Sequence, residues 1–244
     1  MNKEETFLRR FYDSYGNNAQ EALDFITNEN NLNSAKRLVD TEAVEAAPVI
    51  GIYDKMPDGV YFISDEACNI TKVRNYSKFV PGMTAAPFPT KYIGVKLGSR
   101  SIAVALADLP GDDDGELQLL PDTDCCPKDS DRYSWNEESG EYRFNVFEDF
   151  DGKGNTKHLK DCGCTIELPD GEWIPSMGEL GLIMLHAKEV NRAIELAGGK
   201  PLKGWHWSST EGSQLNAWVV SPGSGLVSVN GKFNSYAVRA VAAF

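Results

Sequence analysis

Apolar positions along this chain change their period near residue 48. Before it they recur at helical spacing: Phe7, Leu8, Phe11, Tyr12 and Tyr15 form one set, and Ala22, Leu23, Phe25 and Ile26 a second, with Gly16-Asn17-Asn18 between them. Asn33 or Ser34 caps a third helix carrying Leu38, Val39 and Val44, and Pro48 ends it. Residues 1–47 are therefore expected to form a helical appendage. Its apolar faces need cover, either from the rest of the chain or from another subunit; the second option is a homo-oligomer built through these helices.

From residue 48 to 244 the pattern is one of short strands and turns, expected to form a single domain. Val49–Tyr53 and Val60–Ile63 flank the turn Pro57-Asp58-Gly59, and Lys91–Gly98 with Ile102–Asp108 reads as a hairpin closed at Gly98-Ser99-Arg100. Residues 110–160 are rich in Asp, Gly, Pro and Ser and read as long surface loops around one strand, Tyr142–Phe147. The best-specified element is a helix over Met177–Ala197. Ser176 and Glu179 make a capping box, Leu180, Ile183, Met184, Ala187, Val190 and Ile194 form one stripe, and Gly198-Gly199 stops it. Strands then follow at Trp205–Ser209, Ala217–Val220, Leu226–Val229 and Ala237–Val241, joined by Gly- and Ser-rich turns. The fold class is α+β.

Charge narrows the partners. From Ser101 to Glu172 there are 19 Asp and Glu against 6 Lys and Arg, which accounts for the whole net charge of -12. With no basic stripe, nucleic acid is excluded as a partner. No run approaches the length of a membrane span, so membrane insertion is not expected. The charged start Met1-Asn2-Lys3-Glu4-Glu5 lacks a following apolar stretch, so no signal peptide is expected; synthesis is then cytoplasmic, with incorporation into a virion left open.

Candidate chemistry is sparse. Cys125, Cys126, Cys162 and Cys164 belong to an odd set of 5 cysteines without the usual zinc spacing. Asp149-Phe-Asp151-Gly-Lys-Gly154-Asn155 imitates the start of an EF-hand, but Lys153 and Lys160 stand where oxygen ligands are required, which excludes one. Asp112-Asp113-Asp114 with Asp122 and Asp124 is the alternative place for calcium, against a solvated acidic face. No Ser-His-Asp set, phosphate loop or carboxylate pair is present, and no metal or other cofactor is expected beyond that calcium option.

Residues 172–244 carry a resemblance. Glu172-Trp173-Ile174-Pro175-Ser176, the helix, Trp207-Ser208-Ser209-Thr210-Glu211, Ala217-Trp218 and the terminal Val238-Arg239-Ala240-Val241-Ala242-Ala243-Phe244 are similar to C-type lectin-fold domains of the branch that contains formylglycine-generating enzymes. The ending particularly resembles the variable proteins of diversity-generating retroelements, in which an error-prone reverse transcriptase rewrites the 3′ end of the gene at adenines. That resemblance implies a lectin fold over 48–244, a variable region over about 205–237, and a ligand that is a protein or glycan on a cell surface. It makes Trp173, Trp207, Trp218 and Arg239 scaffold anchors. The implied variable surface is His206, Gly212, Ser213, Leu215, Val219, Ser221, Pro222, Ser224, Leu226, Ser228, Asn230, Gly231, Phe233 and Ala237. Randomised AAC or AAT codons cannot give Lys, Gln, Glu, Trp or Met, and none of these types occupies those positions. The branch's enzymes use cysteines near the C-terminus; none follows Cys164 here, so enzymatic activity is not expected. A calcium-dependent carbohydrate lectin and a virion assembly protein are the rival readings.

Overall fold

A computed structural model describes residues 56–67, 74–111, 115–120 and 126–244. The expected appendage 1–47, the strand Val49–Tyr53, the aspartates Asp112, Asp113, Asp114, Asp122 and Asp124, and Cys125 lie outside the described residues. In chain order the strands are Gly59–Ala67 (β1), Arg74–Lys78 (β2), Tyr92–Leu97 (β3), Arg100–Ala105 (β4), Leu117–Gln118 (β5), Trp135–Asn136 (β6), Glu141–Tyr142 (β7), Glu172–Trp173 (β8), His206–Glu211 (β9), Asn216–Ser221 (β10), Leu226–Gly231 (β11), Ser235–Tyr236 (β12) and Val241–Ala242 (β13). The helices are Gly152–Asp161 (α1), Met177–Leu185 (α2) and Ala187–Leu196 (α3). All ladders between these strands are antiparallel. The protein is α+β, and no helix among the described residues is long and apolar enough to cross a membrane.

Six strands make the main sheet in the order β2-β1-β3-β4-β13-β8. Alternation along β1, β3 and β4 sends Val60, Phe62, Ile93, Val95, Ile102 and Val104 to one face, where they meet Leu180, Ile183, Val190, Ala193 and Ile194 of α2 and α3. Ile63, Tyr92, Ala103 and Ala242 occupy the opposite face with Tyr76 and Phe244. Gly94 makes room there: a Cβ on it would stand 2.7 Å from the Phe244 ring. The last residue of the chain thus becomes part of the core.

The expected helix Met177–Ala197 is two helices. His186, at φ -114 and ψ 19, ends α2 and begins α3. The jog re-aims the second segment so that Val190, Ala193 and Ile194 sit over the sheet. The capping box is present: Ser176 N donates to Glu179 Oε2 at 2.8 Å, and the Ser176 side chain accepts from Glu179 N at 3.5 Å. Glu179 Oε1 and Oε2 also accept from the Trp173 indole at 3.2 and 3.1 Å, which ties the helix start to β8. Burial pushes the Glu179 carboxyl up to about 7 despite the backbone N–H of Ser176 and the indole N–H, which pull the other way. The folded state therefore holds an extra proton between about pH 4.5 and pH 7. That contribution to stability is fully present below the lower value and is lost as pH rises through the upper one. Glu179→Gln is expected to flatten this slope, at most about 1.4 kcal/mol per pH unit, in urea unfolding at pH 5 and pH 7.5.

The acidic middle is more ordered than its composition implies. The expected strand Tyr142–Phe147 is replaced by the short ladder β6–β7 and a 3-10 turn at Val146–Glu148. Helix α1 follows, capped by Asp151, whose Oδ1 accepts from Gly154 N at 3.0 Å. Asp149 serves structure as well: Oδ2 accepts from Thr210 Oγ1 at 2.6 Å and Asn155 Nδ2 at 2.8 Å. The apparent calcium motif is a helix cap and a tie between loop and strand.

The expected strand Ala237–Val241 is mostly not strand: β12 ends just before it at Tyr236, and β13 begins at Val241. β12 pairs with β5, whereas β13 inserts between β4 and β8. Between them Val238, Arg239 and Ala240 are fully buried as the chain crosses from the small sheet to the large one.

Candidate functional site

The three-stranded sheet β11-β10-β9 contains most of the expected variable region. Every residue of β9, His206 through Glu211, is buried. Beneath the sheet, Trp207, Ala217, Val219 and Val238 join Leu119, Leu159, Ile166 and Ile174 in a second core. Trp207 lies edge-on to Tyr236 at 5.0 Å and donates its indole N–H to Leu117 O at 2.8 Å. Trp218 donates to Ser134 Oγ at 2.8 Å and lies 6.0 Å from the Tyr142 ring, joining β10 to the β6–β7 ladder. Trp207 and Trp218 thus each tie the sheet to a neighbouring segment through an indole hydrogen bond as well as through packing.

Two buried ionic groups complete the frame. Arg239, fully buried, donates through Nε to Asp108 Oδ1 at 2.7 Å, through Nη1 to Ala105 O at 3.0 Å and through Nη2 to Lys200 O at 2.8 Å. His206 Nε2 stands 3.1 Å from the same Asp108 oxygen. Burial raises the Asp108 carboxyl, but the hydrogen bonds from His206 and Arg239 outweigh it and hold the group below its ordinary value. The second group joins Lys232 to Glu211, both buried. Lys232 Nζ also donates to Gln214 O at 2.9 Å and lies 5.4 Å from the Tyr133 ring centre, while His158 Nε2 is 3.3 Å from Glu211 Oε2.

Around this frame the expected surface divides. Leu215, Ser224, Leu226 and Phe233 are exposed, and Ser213, Ser221, Ser228, Asn230 and Ala237 are half-buried. His206, Gly212, Val219, Pro222 and Gly231 are buried, which corrects their assignment to a displayed surface. His206 is held against Asp108, and Val219 faces Trp207 across the β9–β10 ladder. At Gly231 a Cβ would meet the Phe233 ring at 2.7 Å, and at Gly212 it would meet Val229 at 3.2 Å. Asn230 is reachable but already engaged, donating to the Tyr236 hydroxyl at 2.6 Å and accepting from Asn234 at 2.9 Å.

Val229, exposed and paired with Trp218, was not among the expected surface residues, nor were Trp135 and Tyr142 beside it. No local signal marks Val229, because alternation from Ser228 and Asn230 turns it to the other face of β11, and none marks Trp135 and Tyr142, because the β6–β7 ladder brings them there. Asp108 was visible only as an acid ending an apolar run.

The remaining candidate chemistry is buried or committed. Cys126, Cys162 and Cys164 lie in the second core, and burial pushes the Cys126 thiol up to about 12 and raises that of Cys164. Cys162 Sγ is 3.8 Å from His158 Nε2. Among the described residues no three of His, Cys, Asp and Glu are grouped to hold a metal ion. Neither a protein-family model nor a curated protein matches the chain.

Proposed function

We propose that this protein is a non-enzymatic binding protein that displays a variable surface on a C-type lectin-like scaffold, of the kind diversified by retroelements, and takes a protein or glycan on a cell surface as its ligand. The observation that carries this reading is the contrast within one small sheet. β9 is buried at all six positions, while Leu215, Leu226, Val229 and Phe233 stand exposed on the turns and the strand beside it. Leu215 and Phe233 stand at one end of the β10–β11 ladder and Leu226 at the other, so large apolar side chains are offered along its length, as on a binding surface. Exposed substitutions usually change stability by about 0.5 kcal/mol or less. A frame tied by Trp207, Trp218, Lys232 and Arg239 can therefore carry different side chains without refolding, and its rigidity lowers the ordering cost of binding.

The calcium-lectin reading is disfavoured by Glu211. It is the one acidic residue from Lys200 onward, and it is buried against Lys232 and His158, so it is not offered to a cation at the display surface. The proposal is tested by randomising Leu215, Ser224, Leu226 and Phe233 together. Most variants are expected to keep the parent's unfolding free energy to within about 1 kcal/mol. A library in which most members fail to fold contradicts the assignment of these positions to a display surface.

A further inference from the structure

An open groove of about 850 Å³ lies between the β3–β4 turn, the segment around Phe147 and Phe150, the α2–α3 junction and the β10–β11 turn. Its lining is mainly apolar, and Leu185 (72% exposed), Phe147 (40%) and Leu97 (39%) present large side chains to it. Gly178 and Gly181 are among its lining residues, and a Cβ on Gly181 would stand 2.9 Å from the Phe147 ring. Two cations and the Glu189 carboxylate border it. Arg100 lies 4.2 Å over the Phe150 ring, and Lys188 lies at the start of α3; neither makes a salt bridge among the described residues. An exposed apolar trough whose described lining carries more cations than carboxylates calls for an occupant that is apolar on one face and acidic on the other.

We propose that the segment 19–29 of this same chain occupies the groove. Its sequence predicts an amphipathic helix of about three turns with Ala22, Leu23 and Ile26 along one side. It carries Glu21, Asp24 and Glu29, and no Lys or Arg occurs from residue 11 to residue 35. The neighbouring aromatic segment carries Arg9 and Arg10, which would face Arg100 and Lys188 with like charge. Where the chain enters the described fold also fits. Met56 is buried, and Asp58 Oδ1 accepts from Gly98 N at 2.7 Å, so the chain arrives at the turn between Leu97 and Arg100, both of which line the groove. The residues between 29 and 56 span at most about 90 Å when extended, ample for a return to the groove. Tethering makes the contact intramolecular, with an effective concentration in the millimolar range. The groove also includes Pro222, Gly223 and Gly225, so its occupant would brace the β10–β11 turn. This inference stands whether or not the turn is variable.

Hydrogen exchange on the full chain tests it. Leu185→Glu changes an exposed groove residue, and the pair Leu23→Glu with Ile26→Glu changes the segment. Each variant is expected to lower protection at least tenfold in both places, amides 19–29 and amides 182–189, leaving β1 and β3 unchanged. Arg100→Glu with Lys188→Glu is expected to do the same, and adding Glu21→Lys with Asp24→Lys to restore protection. Loss confined to the mutated segment overturns the proposal, as does protection that falls on tenfold dilution, the signature of a second copy in the groove.

Discussion

Replacing Lys232 by Met is expected to destabilise the fold by about 3–5 kcal/mol, because it leaves the Glu211 carboxylate buried without its cation. Glu211 is only 3% exposed, and its other ionic neighbour, His158 at 3.3 Å, is charged only when protonated. The Gln214 carbonyl loses a donor in the same change. Removing both charges together, Lys232→Met with Glu211→Leu, is expected to recover at least half of the loss, since no unpaired ion then remains. Urea unfolding of the two single variants and the double variant measures the coupling. The pair's role as a lock requires a coupling of about 1 kcal/mol or more; additive losses would mean that Lys232 acts through packing alone.

The second large effect is expected at Arg239. Its guanidinium donates to three acceptors at once: Asp108 Oδ1, Ala105 O and Lys200 O. Arg239→Met leaves those two carbonyls without this donor and returns Asp108 to burial with His206 as its remaining partner. The cost is expected to be about 3 kcal/mol, toward the lower end for a buried pair because Asp108 is 27% exposed. Arg239→Lys is expected to rescue little, since an ammonium cannot span the fork. The pH profile separates charge from packing. With Asp108 held below its ordinary value, its stabilising contribution is present above the unfolded value of about 3.8 and is lost as pH falls through the lower, folded one. In Arg239→Met that acid-side slope is expected to shrink; a slope identical to wild type would mean that Arg239 does not act on the carboxylate.

These two groups mark a limit of sequence reading. Arg239 and Asp108 are 131 residues apart, and Lys232 and Glu211 are 21 apart with two strands between them, so no local pattern pairs them. What periodicity and turn chemistry specify was legible: the β3–β4 hairpin, the Ser176–Glu179 cap, and the three strands of the C-terminal sheet to within a few residues. Helix α1 was not, because Gly152 and Gly154 lower its propensity and Leu159 is its single large buried apolar residue. Gly152 stays small for a reason that only packing reveals: a Cβ there would come within 2.1 Å of Glu179 Oε2. The break at His186 was hidden because the apolar stripe continues unbroken through it. Burial divided the expected surface for a similar reason. The codon argument identifies which residue types a randomised position can hold, and His206 and Val219 satisfy it from inside the core.

The central claim is that exposed positions of the C-terminal sheet vary while its frame does not, and sequencing tests it most directly. The gene with several kilobases of flanking DNA would be read from many cells of one population. The account predicts a nearby repeat matching the codons for about 205–244, with adenine-directed differences at Leu215, Ser224, Leu226 and Phe233 and none at Trp207, Trp218, Lys232 or Arg239. An isolated gene, invariant across the population at the exposed positions, would contradict it.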